Sequence, residues 1–226
     1  MNVYAISDLH LTGAAEKPMD IFGPAWEGHF DKISKHWIKN VSDEDIVLLA
    51  GDLSWAMRLS EAVVDLKGIG ALPGRKVIIK GNHDFWWGSV SKVREALPEN
   101  IYAIQNEAVK IDNVIICGSR GWINTGGLKD RKIYDRELIR LELSLKAMRN
   151  IYNEGDRVIG LTHFPPFSNN LDSMPMTELF SKYGVTKVVY GHLHLPNKID
   201  KVIELKGVRY YLTSCDILKN KLIKID

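Results

Sequence analysis

Two cysteines in 226 residues cannot build a disulfide framework. Cys117 and Cys215 each adjoin an apolar, strand-like run and are expected as buried free thiols in a reducing compartment. No apolar stretch approaches the roughly 20 residues of a membrane-crossing helix. The opening Met1-Asn2-Val3-Tyr4-Ala5-Ile6-Ser7-Asp8 lacks a basic leader and meets an acid too early for a secretory signal. A cytoplasmic protein with no membrane partner is expected. A surplus of one charge sign is also missing. Lys and Arg number 30 against 28 Asp and Glu, and the resulting +2 gives no indication of a nucleic-acid partner. There is no repeat, low-complexity tract or Pro/Gly/Ser-rich linker. A hydrophobic content of 45% supplies a sizeable core, so one domain over 1–226 is expected.

What the sequence does have is one recurring event. A short apolar or β-branched run ends, and a cluster rich in Asp, His or Asn follows at once. Val3 to Ile6 leads into Asp8 and His10, and Ile46 to Ala50 into Gly51-Asp52. Val77 to Ile79 leads into Gly81-Asn82-His83-Asp84. Val158 to Leu161 leads into His163, and Val188 to Tyr190 into Gly191-His192-Leu193-His194. Runs this short, bounded by glycine and polar residues, read as buried strands. Helical segments near 29–39 and 60–68 separate the first three, which predicts parallel strands joined by helices. In open α/β sheets ligands bind beyond the carboxyl ends of the strands, so the five clusters are expected to converge on one rim.

Further along, 101–104, 108–111 and 114–117 read as short strands, the last two joined by a turn at Asp112-Asn113. Asp130 to Asn150 reads as one helix, with Tyr134, Leu138, Leu141, Leu145 and Met148 forming a core-facing stripe. Val202 to Leu205 and Val208 to Leu212 read as a hairpin around Lys206-Gly207, with a last strand near Leu222 to Ile225.

The clusters have the composition of metal ligands. Asp8-Leu9-His10 and His192-Leu193-His194 place donors at i, i+2, on one side if the segments are extended. Asp52 offers a carboxylate able to bridge two cations, Asn82 a neutral oxygen, and His163 another imidazole. Such a set, without thiolates, suits transition metals better than a calcium cage. Five of the seven histidines lie in these clusters. His29 and His36 do not, and are expected to be surface or helix-packing residues.

These motifs, in this order over residues 8 to 194, resemble those of the calcineurin-like metallophosphoesterases. The resemblance implies a four-layer αββα sandwich of two mixed β-sheets flanked by helices. It also implies two divalent transition-metal ions, manganese first, with iron, zinc or nickel as alternatives. Asp8, His10, Asp52 and His194 would bind one; Asp52, Asn82, His163 and His192 the other. His83 would protonate the leaving oxygen or steady the transition state, and Asp84 would orient His83. The implied reaction is hydrolysis of a phosphomonoester or phosphodiester by a hydroxide bridging the metals, with a small, nucleotide-like substrate favoured. A protein Ser/Thr phosphatase and a metal-binding scaffold without activity are the alternatives.

Arg120, in a glycine-rich loop, is a candidate phosphate contact because guanidinium pairs bidentately with phosphate oxygens. Trp55, Trp86, Trp87 and Trp122 lie near the motifs. They read as braces covering the sheet, Trp86-Trp87 beginning a helix, rather than as a stacking wall for a base. The segment 12–24 is expected to form a lip beside Asp8 and His10.

Overall fold

The computed structural model describes residues 1–13, 17, 19–123, 126–168, 170–194 and 200–225. In chain order the elements are β1 (Val3–Ile6), α1 (His29–Asn40), β2 (Ile46–Leu49), α2 (Leu59–Gly70), β3 (Arg75–Ile78), α3 (Val90–Ala96), β4 (Ile101–Ala103), β5 (Ala108–Ile111) and β6 (Val114–Ser119). There follow α4 (Leu128–Ile151), β7 (Arg157–Thr162), α5 (Pro175–Lys182), β8 (Lys187–Tyr190), β9 (Val202–Leu205), β10 (Val208–Leu212) and β11 (Ile223–Lys224).

The strands form two sheets, ordered β11-β1-β2-β3-β4 and β5-β6-β7-β8-β10-β9. β1 to β4 run parallel with β11 antiparallel at the edge. β6, β7, β8 and β10 run parallel between antiparallel edge strands β5 and β9.

Strict alternation builds the layers. In β2, Val47 and Leu49 join the cluster containing Ile33 and Trp37 of α1 and Leu66 and Ile69 of α2. Their neighbours Ile46 and Leu48 point the other way, into a cluster with Val114 and Ile116 of β6 and Ile159 and Leu161 of β7. Beyond the second sheet, Ile115, Cys117, Val188 and Tyr190 meet Leu141, Leu145 and Met148 of α4 and Phe180 of α5. Three apolar interfaces thus separate four layers, helices–sheet–sheet–helices, as the resemblance implied. Strands buried on both faces explain the near-continuous apolar runs in the sequence.

The α4 stripe packs as read, with Leu138 half-buried at its margin. Both cysteines are buried and free. The helix expected from Trp86 starts instead at Val90. Phe85 N–H donates to His83 O and Trp87 N–H to Asp84 O, folding these residues into a turn ahead of Gly88. Lys76 is an unanticipated core residue. Its ammonium donates to the Gly70 and Leu72 carbonyls at the end of α2, where a cation complements the helix terminus. Residues 14–16 and 18 of the expected lip lie outside the described residues; within it Met19–Phe22 forms a 3-10 turn.

Leu161 is fully buried between the sheets. Leu161→Ala should cost about 2–5 kcal/mol through lost burial and the cavity left behind. A urea unfolding midpoint unchanged from the parent would contradict this packing.

Candidate active site

Because the inner strands run parallel, the carboxyl ends of β1, β2, β3, β7 and β8 meet at one rim, and the five polar clusters meet there with them. The backbone turns sharply at this rim. Asp8, His10, Asp52 and His192 all adopt positive φ, at 55°, 45°, 52° and 72°. Left-handed backbone is uncommon for such residues and concentrates at functional sites. The i, i+2 pairs therefore converge through tight turns and not, as expected, through extended alternation. Asp8 N–H donates to Gly51 O and His10 N–H to Asp52 O, both at 3.0 Å, which locks the first turn against the second. Glycines allow the approach: a Cβ on Gly51 would lie 2.7 Å from the Gly81 backbone, and one on Gly191 only 2.5 Å from an Asp8 carboxylate oxygen.

Asp8, His10 and His194 bring ligand atoms within 4.8 Å of one another, as do Asp8, Asp52 and His163. Asp52 Oδ2 stands 3.8 Å from His10 Nε2 and 3.5 Å from His163 Nε2, facing an imidazole of each group. Asn82 Oδ1 lies 2.7 Å from His163 Nε2 and 2.9 Å from His192 Nδ1. His194 Nε2 is 3.7 Å from Asp8 Oδ1. All seven expected donors thus share one site.

Divalent cations fit this donor set. The Nδ1–H of His163 donates to the Ala50 carbonyl at 2.8 Å. Burial holds the ring neutral, its pKa well below the usual range, so Nε2 carries a lone pair. That lone pair confronts the oxygen of Asn82, an opposition relieved by a shared cation or a rotated amide. Burial raises Asp8 to about 6. Burial, then Asp84 and Asp8, raise Asp52 to about 9. Burial lowers His10 to about 2 and His192 to about 4. Neutral imidazoles around reluctant carboxylates are a site that positive charge would complete.

A calcineurin-like phosphoesterase family model matches residues 1–196. The chain belongs to that family. Membership makes it a metal-dependent phosphoester hydrolase. No curated protein matches it. Among solved structures it is similar to TT1561 of Thermus thermophilus, with TM-score 0.62, 13% identity, and 99% and 97% of the two chains covered. It is similar to phosphopantetheinyl hydrolase from Mycobacterium tuberculosis, with TM-score 0.57, 16% identity, and 99% and 95% covered. A protein of unknown function, AQ665 from Aquifex aeolicus, gives TM-score 0.53 and 18% identity over 99% and 95%. At these identities the likeness is one of fold.

Several residues of this phosphoesterase sit differently from expectation. Asp84 does not orient His83. Its two oxygens accept from the N–H groups of Asp52, Leu53, Ser54 and Gly81 and from Trp86 Nε1, at 2.7–3.3 Å. It therefore ties the loop after β2 to the loop after β3, while His83 Nδ1 is buried with no partner among the described residues. His83 is placed by its own N–H, which donates to Asp52 Oδ1 at 2.7 Å, and by Trp55, whose ring centroid is 4.6 Å away.

Trp55 also stacks on His10 at 4.9 Å. Trp86 and Trp87 are core residues. Trp122 rests on Phe164, which rests on His192 at 4.2 Å. Bracing is what these rings do. His29 braces too, its ring nitrogens set between the Leu9 and Trp26 carbonyls. Arg120 turns its guanidinium toward Glu137, 3.6 Å away, and over the Trp122 ring.

Sequence reading missed the residues that hold Asp8 and His194. Ser7 and Ser214 hydroxyls donate to Asp8 Oδ2 at 2.6 and 2.8 Å. Asp216 Oδ1 lies 3.0 Å from His194 Nδ1. Burial opposes charge on His194, but Asp216 and Asp8 outweigh it and raise the pKa. The signal was available: Thr213-Ser214-Cys215-Asp216 follows β10 just as the other polar clusters follow their strands.

The metal-free fold should lose stability as pH rises from 7 to 8. The histidines of lowered pKa are neutral in the fold, and the unfolded chain, with histidines near 6.5, has shed most of its own imidazole protons by pH 7, so their opposing contribution is fading. Lys76, lowered to about 8 by burial, opposes the trend only toward the top of the window. Folded Asp52 still binds a proton that the unfolded chain has released near 3.8, and His194 acts in the same direction. More protons on the folded state mean stability falling with pH. Bound cations would displace those protons, so melting temperatures of chelator-treated protein should fall across the window while those of metal-loaded protein hold or rise, because the unfolded chain then binds more protons than the fold. Parallel profiles would show that the carboxylates do not hold metal.

Proposed function

We propose that this chain is a dinuclear phosphoesterase acting on small phosphomonoesters or phosphodiesters, nucleotide-like substrates first, with Asp8, His10, Asp52 and His194 holding one cation and Asp52, Asn82, His163 and His192 the other. The observation that carries the reading is Asp52 Oδ2, set between His10 Nε2 and His163 Nε2. One carboxylate oxygen facing two neutral imidazoles is suited to bridging two ions. When bound, two cations would polarise the phosphate and make water a nucleophile at neutral pH.

The protein's own residues supply the rest. His163, fixed by Ala50, and His194, set by Asp216, present one defined nitrogen each, which raises their strength as ligands. Asn82 contributes an oxygen without adding charge. His83, adjoining Asn82 and half-exposed at the rim, would hand a proton to the leaving oxygen or hydrogen-bond the phosphate. Manganese is the expected ion, and a cytoplasmic setting the expected one. The Mycobacterium tuberculosis neighbour's name adds a phosphopantetheinyl ester to the substrates worth assaying, without priority.

Paired nitrophenyl phosphomonoester and phosphodiester assays test the proposal. Stripped protein should be inactive and recover with Mn, Mg, Zn or Ni, while Asp52→Asn should lose activity with every ion. Two bound metals and no turnover of any ester would favour the scaffold alternative.

His83 and Asp84 should separate cleanly. His83→Gln should keep its metal and its melting temperature but lose most turnover. Asp84→Asn should lose about 2 kcal/mol or more, because its amide meets backbone donors that a carboxylate satisfied, and metal content should fall with it. Full activity in His83→Gln would remove that residue's assigned role.

A further inference from the structure

We propose that a second pocket, beside the metal centre, binds a phosphate-like oxyanion. A cavity of about 230 Å³ is lined by Lys80, Gln105, Arg120, Arg136, Glu137 and Arg140, among others. Four of these side chains are cationic and one is a carboxylate. That excess is local, since the chain as a whole carries only +2.

Ion pairing within the pocket does not use up the cations. Arg140 reaches Glu137 Oε1 at 2.8 Å, Arg120 at 3.6 Å and Arg136 at 3.8 Å. Three guanidinium groups thus address a single oxygen of a carboxylate that is fully buried. Glu137 Oε2 and Arg120 Nε are themselves buried with no hydrogen-bond partner among the described residues. One carboxylate oxygen cannot satisfy three guanidinium forks, and forked donors beyond its needs are suited to holding an oxyanion bidentately. Lys80, whose ammonium donates to Trp87 O at 2.7 Å, adds a fourth charge. The crowding is costly: burial and the neighbouring arginines depress Lys80 and Arg120 below their usual pKa values. A bound dianion would remove that cost.

The pocket is joined to the metal site through the backbone. Lys80 lies two residues before Asn82, and the Arg120 carbonyl accepts the N–H groups of His163 and Phe164, both at 3.0 Å. Its volume is below the roughly 300–1,000 Å³ of sites that enclose a whole drug-sized ligand. It suits a group rather than a complete nucleotide. The oxyanion has two possible sources: a second phosphate on the substrate being hydrolysed, or free phosphate acting on its own. The substrate source rests on the hydrolase reading above; the pocket does not.

Binding of inorganic pyrophosphate and phosphate to metal-free protein, by calorimetry, tests the pocket. One equivalent should bind, and Arg140→Gln and the more exposed Arg136→Gln should each weaken binding tenfold or more, with Arg140→Lys weakening it less. Circular dichroism of each variant confirms folding. Binding unchanged in both folded glutamine variants, or absent from the parent protein, overturns the inference.

Kinetics with a nucleoside 3′,5′-bisphosphate and the matching 5′-monophosphate then assign the source. A parent kcat/KM ratio of ten or more that collapses in Arg140→Gln assigns the pocket to the substrate. A ratio near one, with arginine-dependent pyrophosphate binding intact, assigns it to free phosphate. If no ester is hydrolysed at all while that binding persists, the hydrolase reading fails and the pocket stands.

Discussion

Three carboxylates buried at the carboxyl ends of the strands are the constraint around which this rim is built. Asp8, Asp52 and Asp84 are each at most 1% exposed, and burial raises the pKa of each. An anion in such a place has to be neutralised or hydrogen-bonded. The chain solves the problem three ways. Asp84 is saturated with N–H donors and becomes the clamp between two loops. Asp8 takes two hydroxyls and the His192 N–H, with one face left toward His194. Asp52 receives little beyond the N–H groups of its neighbours, and so keeps the largest unmet demand for positive charge. The same physical pressure thus yields a structural acid, an intermediate one and the carboxylate proposed to bridge two cations, sorted by how many donors surround each.

This sorting explains what could be read from sequence. Strand-end clusters are legible because buried parallel strands leave continuous apolar runs that stop abruptly, so Asp8, Asp52, Asn82, His163 and His192 announce themselves by position. Packed sheets with helices outside were legible in the order of strands and helices, and the four-layer form through the resemblance. Which face of each strand met which core was not, because the runs are apolar throughout. Nor was the role of Asp84. The resemblance paired it with His83, but neighbouring residues at a tight turn point apart, and backbone donors 30 residues away in sequence decided its partners. Asp216 was readable by the strand-end rule yet sits beyond the last family motif. Lys76 had no signal at all, because a lysine among β3 apolar residues looks like a surface position until the end of α2 is placed against it.

Net charge was the least informative quantity, and the reason bears on specificity. A total of +2 averages the carboxylate-rich metal site against the arginine cluster beside it, drawn from α4 and the ends of β3 and β6. Coulomb energies depend on local separation and dielectric, not on sums over a surface. Lys80 and Arg120 stand at the junction, each attached by backbone to a motif loop of the metal site and by side chain to the cationic pocket. A substrate phosphate at the metals would face histidines and cations fixed from behind by Asp216, Ala50 and Asp84. Those groups would recognise a phosphate and say little about what carries it. Selectivity must come from residues outside that shared set, and on this rim the one concentrated, unspent recognition chemistry among the described residues is the arginine cluster around Glu137.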